Sequence, residues 1–557
     1  MKIALSFPLL AFFLCQSIIA QNNAKIDVDL LHELTLRESR ELIRINIILN
    51  QQYDQNEMRL KSNVFPTSET RRDLVVGELK RFTGETQQEL MNVLSIRNDV
   101  SEIQSYWIAN FINCYANIEA IKELSLHPDV LIIGFDKEYS MIPNDEIIKE
   151  AYATREITYN VMKVKADEVW ELGFKGENVV VAVLDTGVNY NHEDLSTHMW
   201  THPNYPYHGW NFVNNTNNPM DDHGHGTRCA GIIAGDGSSG SKTGVAPKSL
   251  LMAIKIFNSS GNGGSSAMCS GFQFAVENGA QVINLSGGIP QEVVTEADKI
   301  ALRNTMVNVL EAGVIATVAA GNEGPDFAYW FPPNSVRCPS SCPPPWLHNE
   351  QILIGGLSSV VSVGSTDIDD KIARSSSRGP VTWQDITGYN DYPHNPEMGL
   401  MRPDVCAPGV DIKSLNHTNN TGYVSGFGGT SYAAPCVAGT IALMLSKNPY
   451  LTPAEICKNL ETYAVHLPDD VFSKNNIYGS GRINAYHSVI VIRNCVKILS
   501  NKKITTNTTV LGCDNLNVEN VTVSNGAKLT LEAPGSITIN GPFSVSAGSK
   551  FSANSVD

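Results

Sequence analysis

Val179-Val180-Val181-Ala182-Val183-Leu184 runs without a polar side chain and ends in Asp185-Thr186-Gly187. A segment that is apolar at every position has no solvent face, so it reads as a strand buried on both sides, as in a parallel sheet covered by helices. Leu250 to Phe257, Val282 to Leu285, Val314 to Ala319 and Val360 to Val363 are similar apolar runs with one polar residue each, Lys255, Asn284, Thr317 and Ser362, separated by helical or Gly-rich stretches. The alternation predicts an α/β fold with a mostly parallel central sheet. In open sheets of this kind chemistry gathers beyond the carboxyl ends of the strands, so the residues at the end of each run matter most.

The first run ends in Asp185, a carboxylate that is costly to bury without a partner. Further along, Asp222-His223-Gly224-His225-Gly226-Thr227-Arg228-Cys229-Ala230-Gly231 sets a histidine among small residues at the start of a helix. The run from Val314 ends in Ala319-Ala320-Gly321-Asn322-Glu323-Gly324. Gly426-Phe427-Gly428-Gly429-Thr430-Ser431-Tyr432-Ala433-Ala434-Pro435 places a serine before a helix whose early proline is tolerated in a first turn.

These four pieces, in this order, resemble the subtilisin-like serine proteases (subtilases), whose triad residues follow the chain order Asp, His, Ser. The resemblance spans Tyr159 to Tyr486 and is greatest with bacillopeptidase F-like secreted bacterial enzymes, through Val169-Trp170 to Gly176 and the long stretch after Asn322. It implies a three-layer subtilisin-like fold and hydrolysis of polypeptide substrates. Ser431 is then the nucleophile, His225 its base and Asp185 the group that orients the imidazole. Asn322 and the backbone N–H of Ser431 are the implied oxyanion donors. Substrate chains are expected to add as a strand along Gly261 to Gly264 and Ser286-Gly287-Gly288. Ala319-Ala320-Gly321 would wall the first specificity pocket and leave room for a large apolar side chain.

Two positions depart from the usual wording of the family: Arg228 stands where a second histidine is common, and Tyr432 follows the nucleophile in place of methionine. Asp194 matches a carboxylate that binds calcium in many relatives, which makes a structural calcium ion the one cofactor to test; no organic cofactor is implied. Cys229, four residues after His225, falls where proteinase K-like subtilases carry a free thiol beneath the catalytic histidine. The alternatives are a catalytically inactive, subtilase-like binding protein and a zinc site on His223, His225 and Cys229. The zinc reading leaves Asn322 and Ser431 unexplained.

Around this core, the 557 residues are enough for three to four units. A net charge of −16 disfavours nucleic acid or an anionic membrane surface as partner. Residues 1–20 read as a secretory signal peptide, and no later run is long enough to span a bilayer, so a secreted protein is expected. Residues 21–150 read as a small α+β domain with a helix-favouring start from Leu30 to Leu49, a helix near Ile118 to Leu126 and a strand at Val130 to Ile133. Its part from Ser105 to Asp136 resembles the inhibitory propeptide of subtilases, with a cut expected between about Ile142 and Tyr159. The catalytic domain is placed at 151–496. Residues 500–557, with short alternating strands and turn signals, read as a small all-β segment, a stacked repeat or a sorting or cell-surface element. Eleven cysteines cannot all pair, and Cys338 with Cys342, either side of Pro339-Ser340-Ser341, are the expected disulfide.

Overall fold

A computed structural model describes residues 25–62, 68–140, 148–325, 332–344, 358–391, 399–467, 474–493, 495–533 and 535–555. The expected signal peptide lies outside the described residues, as do residues 141–147 of the expected processing stretch. In the N-terminal unit, β1 (Ile43–Leu49), β2 (Val100–Tyr106), β3 (Phe111–Ala116) and β4 (Val130–Phe135) form an antiparallel sheet in the order β2-β3-β1-β4. The helical expectation for Leu30 to Leu49 holds only for the helix Val28–Leu36; from Ile43 the chain is an inner strand. Ile43, Ile45, Ile47 and Leu49 bury in the core of this unit, while Ile48 joins an apolar cluster shared with the next domain. An isoleucine run buried on two faces fits a pleated strand, and that packing overrides the charged flanks.

One face of this sheet docks on the helices Ser265–Glu277 and Glu296–Glu311 of the following domain. Asp27 accepts the N–H of Ala297 at 3.1 Å and Asp136 accepts the hydroxyl of Ser266 at 2.6 Å. Each carboxylate thus meets the first turn of a helix, where unpaired N–H groups and the helix dipole favour an anion. The chain then forms β5 (Tyr139–Ser140) and β6 (Lys149–Ala151).

The large domain contains β7 (Val180–Asp185), β8 (Gly209–Asn211), β9 (Leu250–Lys255), β10 (Asn262–Gly263), β11 (Val282–Leu285), β12 (Ile315–Ala319) and β13 (Val360–Thr366). After the hairpin of β14 (Trp383–Ile386) and β15 (Tyr389–Asp391) come β16 (Val405–Pro408), β17 (Ile412–Leu415) and β18 (Tyr423–Phe427). Seven of these strands form an all-parallel sheet in the order β16-β13-β12-β11-β7-β9-β8. The sequence runs supplied the five inner strands, while the edge strands β8 and β16, three and four residues long, are not among them. Val181 and Val183 pack with the residues of helices His225–Ala234 and Thr430–Lys447, and Ala182 and Leu184 with those of the two helices beneath the N-terminal unit. Burial on both faces is therefore the physical meaning of the unbroken apolar run. Strand order reverses between β7 and β11, which opens a crevice at their carboxyl ends.

β6 pairs with β18, itself paired with β17, so Lys149 and Glu150 already belong to a sheet of the large domain. At the other end β19 (Cys495–Ile504), β20 (Thr508–Val523), β21 (Lys528–Ala533), β22 (Ile537–Ile539), β23 (Phe543–Val545) and β24 (Lys550–Ser555) stack in parallel. Thr508 pairs with Leu529 and Leu529 with Phe551, steps of 21 and 22 residues that make each layer a copy of the last. The disulfide joins Cys495 to Cys513, across β19 and β20. The expected Cys338–Cys342 bond is absent: both thiols are buried in a tight turn and their sulfurs stand 4.0 Å apart.

Candidate active site

Four of the sequence-predicted residues come from separate elements that end at the crevice. Asp185 is the last residue of β7, His225 the first of its helix, Asn322 follows β12, and Ser431 lies in the first turn of Thr430–Lys447. Asp185 and His225 are fully buried and Ser431 is nearly so. His225 Nδ1 lies 2.8 and 3.0 Å from the two carboxylate oxygens of Asp185, and Thr186 N–H donates to Asp185 Oδ1 at 2.7 Å. Gly226 makes this approach possible, because a Cβ there would sit 2.0 Å from the carbonyl oxygen of Gly187.

The other imidazole nitrogen, Nε2 of His225, is buried and makes no hydrogen bond. Such a group is uncommon in a folded protein and marks an atom kept for something outside the resting structure. The Ser431 hydroxyl donates instead to the carbonyl of Ser286 at 3.0 Å. Ser286 also donates to the carbonyl of Ser431 at 2.7 Å and is held by Asn284, so the nucleophile's helix is tied to the end of β11. Gly429, at φ 142°, lets the chain turn from β18 into that helix, a conformation that side chains resist.

Asn322 is oriented by Thr430, whose N–H and hydroxyl donate to Asn322 Oδ1 at 3.0 and 3.1 Å. With Oδ1 committed, the amide turns its Nδ2 donors the other way, and a Cβ on Gly429 would lie 2.9 Å from Nδ2. Cys229 Sγ is 3.8 Å from His225 Nδ1 and donates to the Ser431 carbonyl at 3.5 Å, so the thiol expected beneath the histidine is there and fully buried. Asp185, His225 and Cys229 form the one candidate metal-binding trio among the described residues, yet both Asp185 oxygens are spent on Nδ1. That geometry orients an imidazole.

The two departures from the family wording satisfy each other. Arg228 Nε donates to the Tyr432 hydroxyl at 3.0 Å and its guanidinium lies over the rings of Phe427 and Tyr432. The Tyr432 ring in turn packs 5.2 Å from that of His225. Arg228 is 4% exposed and ties the two helices of the site together.

Sequence reasoning missed three contributors. Asp221 accepts from Thr186 Oγ1, the N–H groups of His223, Gly224 and Thr227, and the Thr227 hydroxyl, at 2.6 to 3.0 Å. Burial pushes its carboxyl pKa up, but the bonds from Thr227, Gly224 and His223 outweigh it and hold the group below the usual carboxylate range. An aspartate two and three residues before the N–H groups it caps is a local turn signal that could have been read. Because the folded pKa is depressed, this stabilisation is full above the unfolded value of about 3.9 and is lost as pH falls through the folded one. Asp221→Asn is expected to cost roughly 2–4 kcal/mol at pH 7 and to flatten the acid limb of a melting-temperature series.

Lys255, buried beside Asp185 in the paired strand, donates to the carbonyls of Thr186 and Phe257 and to Asp222 Oδ1, at 2.6 to 2.9 Å. Arg337 is the third. Its Nη1 donates to the carbonyl of Gly288 at 3.1 Å, its Nε to Glu323 at 2.9 Å, and a Cβ on Gly321 would lie 3.0 Å from its Cγ. The space between Gly287-Gly288 and Ala319-Ala320-Gly321 therefore holds a charged pair as well as the small residues read from the sequence.

Asp194 is fully buried, with Oδ1 accepting the N–H of Ser239 at 2.6 Å and Oδ2 the hydroxyl of Tyr423 at 2.8 Å. Calcium takes six to eight oxygens, and the Asp194 carboxylate, with about four lone-pair sites, keeps acceptor capacity beyond these two bonds. No trio of acidic, histidine or cysteine ligands gathers at Asp194 among the described residues.

The Subtilase family profile matches residues 176–481. Subtilisin DY of Bacillus licheniformis is 33% identical over 328 residues, covering 59% of this chain and 97% of that protein. Subtilisin E of Bacillus subtilis is 29% identical over 418 residues, covering 75% and 90%. Bacillopeptidase F of Bacillus subtilis is 28% identical over 465 residues, 78% of this chain and 29% of that longer protein. With the strand order, the Asp185–His225 pair and these relatives in agreement, the chain belongs to the subtilase family and is a serine-type endopeptidase.

Proposed function

We propose that Asp185, His225 and Ser431 act as the triad of a secreted endopeptidase, with Asn322 and the Ser431 N–H as oxyanion donors. The observation that carries this reading is the Asp185-oriented imidazole whose second nitrogen is buried and unpaired, in the crevice that receives the start of the Ser431 helix. For catalysis Ser431 Oγ exchanges the Ser286 carbonyl for His225 Nε2, gives up its proton there and attacks the scissile carbonyl carbon. Asp185 keeps the neutral ring in the tautomer with Nδ1 protonated and stabilises the cation that forms. The oxyanion is met by Asn322 Nδ2 and the Ser431 N–H, His225 returns the proton to the leaving amine, and water then cleaves the acyl-enzyme with the same base. Asn322→Ala should lower kcat by about 10²–10³ with KM little changed, a size carried over from subtilisin itself; a loss confined to KM would remove the oxyanion role.

The enzyme is read as a zymogen that processes itself. Support comes from β5, which pairs antiparallel with β10, the edge where substrate chains are expected. Intact-mass analysis tests this: wild type should appear cut between about Ile142 and Tyr159 and Ser431→Ala should stay whole, whereas equal processing would assign the cut to another protease. Export is supported by the apolar residues that follow Lys2; no described helix is long and apolar enough to cross a membrane. The C-terminal β layers are a candidate surface or sorting element. Asp194 is the candidate ligand of a structural calcium ion, so chelation should lower the melting temperature by about 4 °C or more, roughly 1 kcal/mol or above for a domain of this size, whereas a change within about 1 °C would remove the ion from the reading.

A further inference from the structure

The N-terminal unit offers its own strand to the edge where a substrate would bind, and the side chain next to that edge shows what the neighbouring pocket accepts. In β5, Ser140 pairs with Asn262 and Tyr139 with Gly263. Tyr139 is 4% exposed, lies in the apolar cluster that includes Phe257, Met268, Leu285 and Ile289, and its hydroxyl donates to Asp298 Oδ2 at 2.9 Å. Asp298 belongs to the large domain and is itself fully buried. Its other oxygen accepts the hydroxyl of Ser265, and the Thr295 N–H reaches Oδ2 at 3.3 Å. The Asp298–Thr295 exchange caps the helix Glu296–Glu311, but that cap does not require a carboxylate oxygen turned to a phenol from another domain.

We propose that Asp298 is a specificity-determining residue: the apolar pocket beside Gly263 selects substrates with a tyrosine side chain there, because Asp298 at its base accepts the phenol hydroxyl. The inference rests on the proposed reading of β5 as a substrate-like strand. A phenylalanine would fill the same apolar space and leave Asp298 desolvated without that donor, which is the condition under which a missing hydroxyl is rejected most strongly. Burial, with the nearby Asp136 charge adding to it, pushes the Asp298 carboxyl up to about 7 even though the bonds from Ser265, Tyr139 and Thr295 pull it down, so each of those donors counts. Tyr139 precedes the expected cut, so the selected position lies on the amino-terminal side of the cleaved bond, at the fourth residue or beyond.

The test is a set of quenched fluorescent peptides that differ only in Tyr, Phe or Leu at the fourth, fifth or sixth residue before the cut, assayed with mature wild-type enzyme. At one of these positions kcat/KM should favour Tyr over Phe by about tenfold to a hundredfold, and Asp298→Asn should collapse that ratio toward threefold or less. Cleavage of all peptides with Tyr and Phe equal at every position would overturn the inference and leave the endopeptidase reading intact, whereas no cleavage of any peptide would strike at that reading first. If Asp298→Asn does not fold, the wild-type Tyr/Phe ratio alone still decides. A Tyr preference that survives in a folded Asp298→Asn enzyme would also overturn it.

Discussion

Ser431→Ala should lose about a million-fold in kcat on any peptide substrate, with the melting temperature unchanged. The size is carried over from subtilisin itself. On the proposed triad Ser431 Oγ forms the acyl-enzyme, and its removal takes away the hydrogen bond to the Ser286 carbonyl. The reciprocal bond from Ser286 to the Ser431 carbonyl does not involve the Ser431 side chain and stays. The helix start and the oxyanion donors therefore survive, so a residual rate of about 10³–10⁴ over water is expected. A variant that keeps a tenth of wild-type activity would place the nucleophile elsewhere.

Asp185→Asn is expected to cost about 10⁴ in kcat. The carboxylate accepts from His225 Nδ1 and from Thr186 N–H, which fixes the imidazole tautomer with Nε2 as the acceptor. An amide in its place can offer an N–H to Nδ1, and the ring then carries its proton on Nε2, where it cannot take one from Ser431. Unchanged kcat in a folded Asp185→Asn enzyme would remove the triad reading.

The inner strands were legible because burial on both faces leaves them mostly apolar, with isolated polar residues such as Lys255, Asn284 and Thr317, and the candidate site stood out because each chemical group lies at a strand end or helix start with its own short motif. What escaped were features set by partners far away in sequence. Ile43 to Leu49 looks helical beside its charged neighbours and becomes a strand only because β3 and β4 flank it. Arg228 and Tyr432 read as two separate departures and are one hydrogen-bonded pair. The bonds that Asp194 accepts from Tyr423 and Ser239 come from segments distant in sequence. Cys338 and Cys342 are close in sequence, while Cys495 and Cys513 are brought together by strand stacking.

The central claim is that Ser431, activated by His225, is the nucleophile of this endopeptidase. A fluorophosphonate probe incubated with the mature protein, with peptide mapping of the product, reads it directly. The account predicts one modified residue, Ser431, with labelling lost in Ser431→Ala and reduced by orders of magnitude in His225→Ala. A folded mature protein that takes up no probe, or one labelled at another serine, would contradict it.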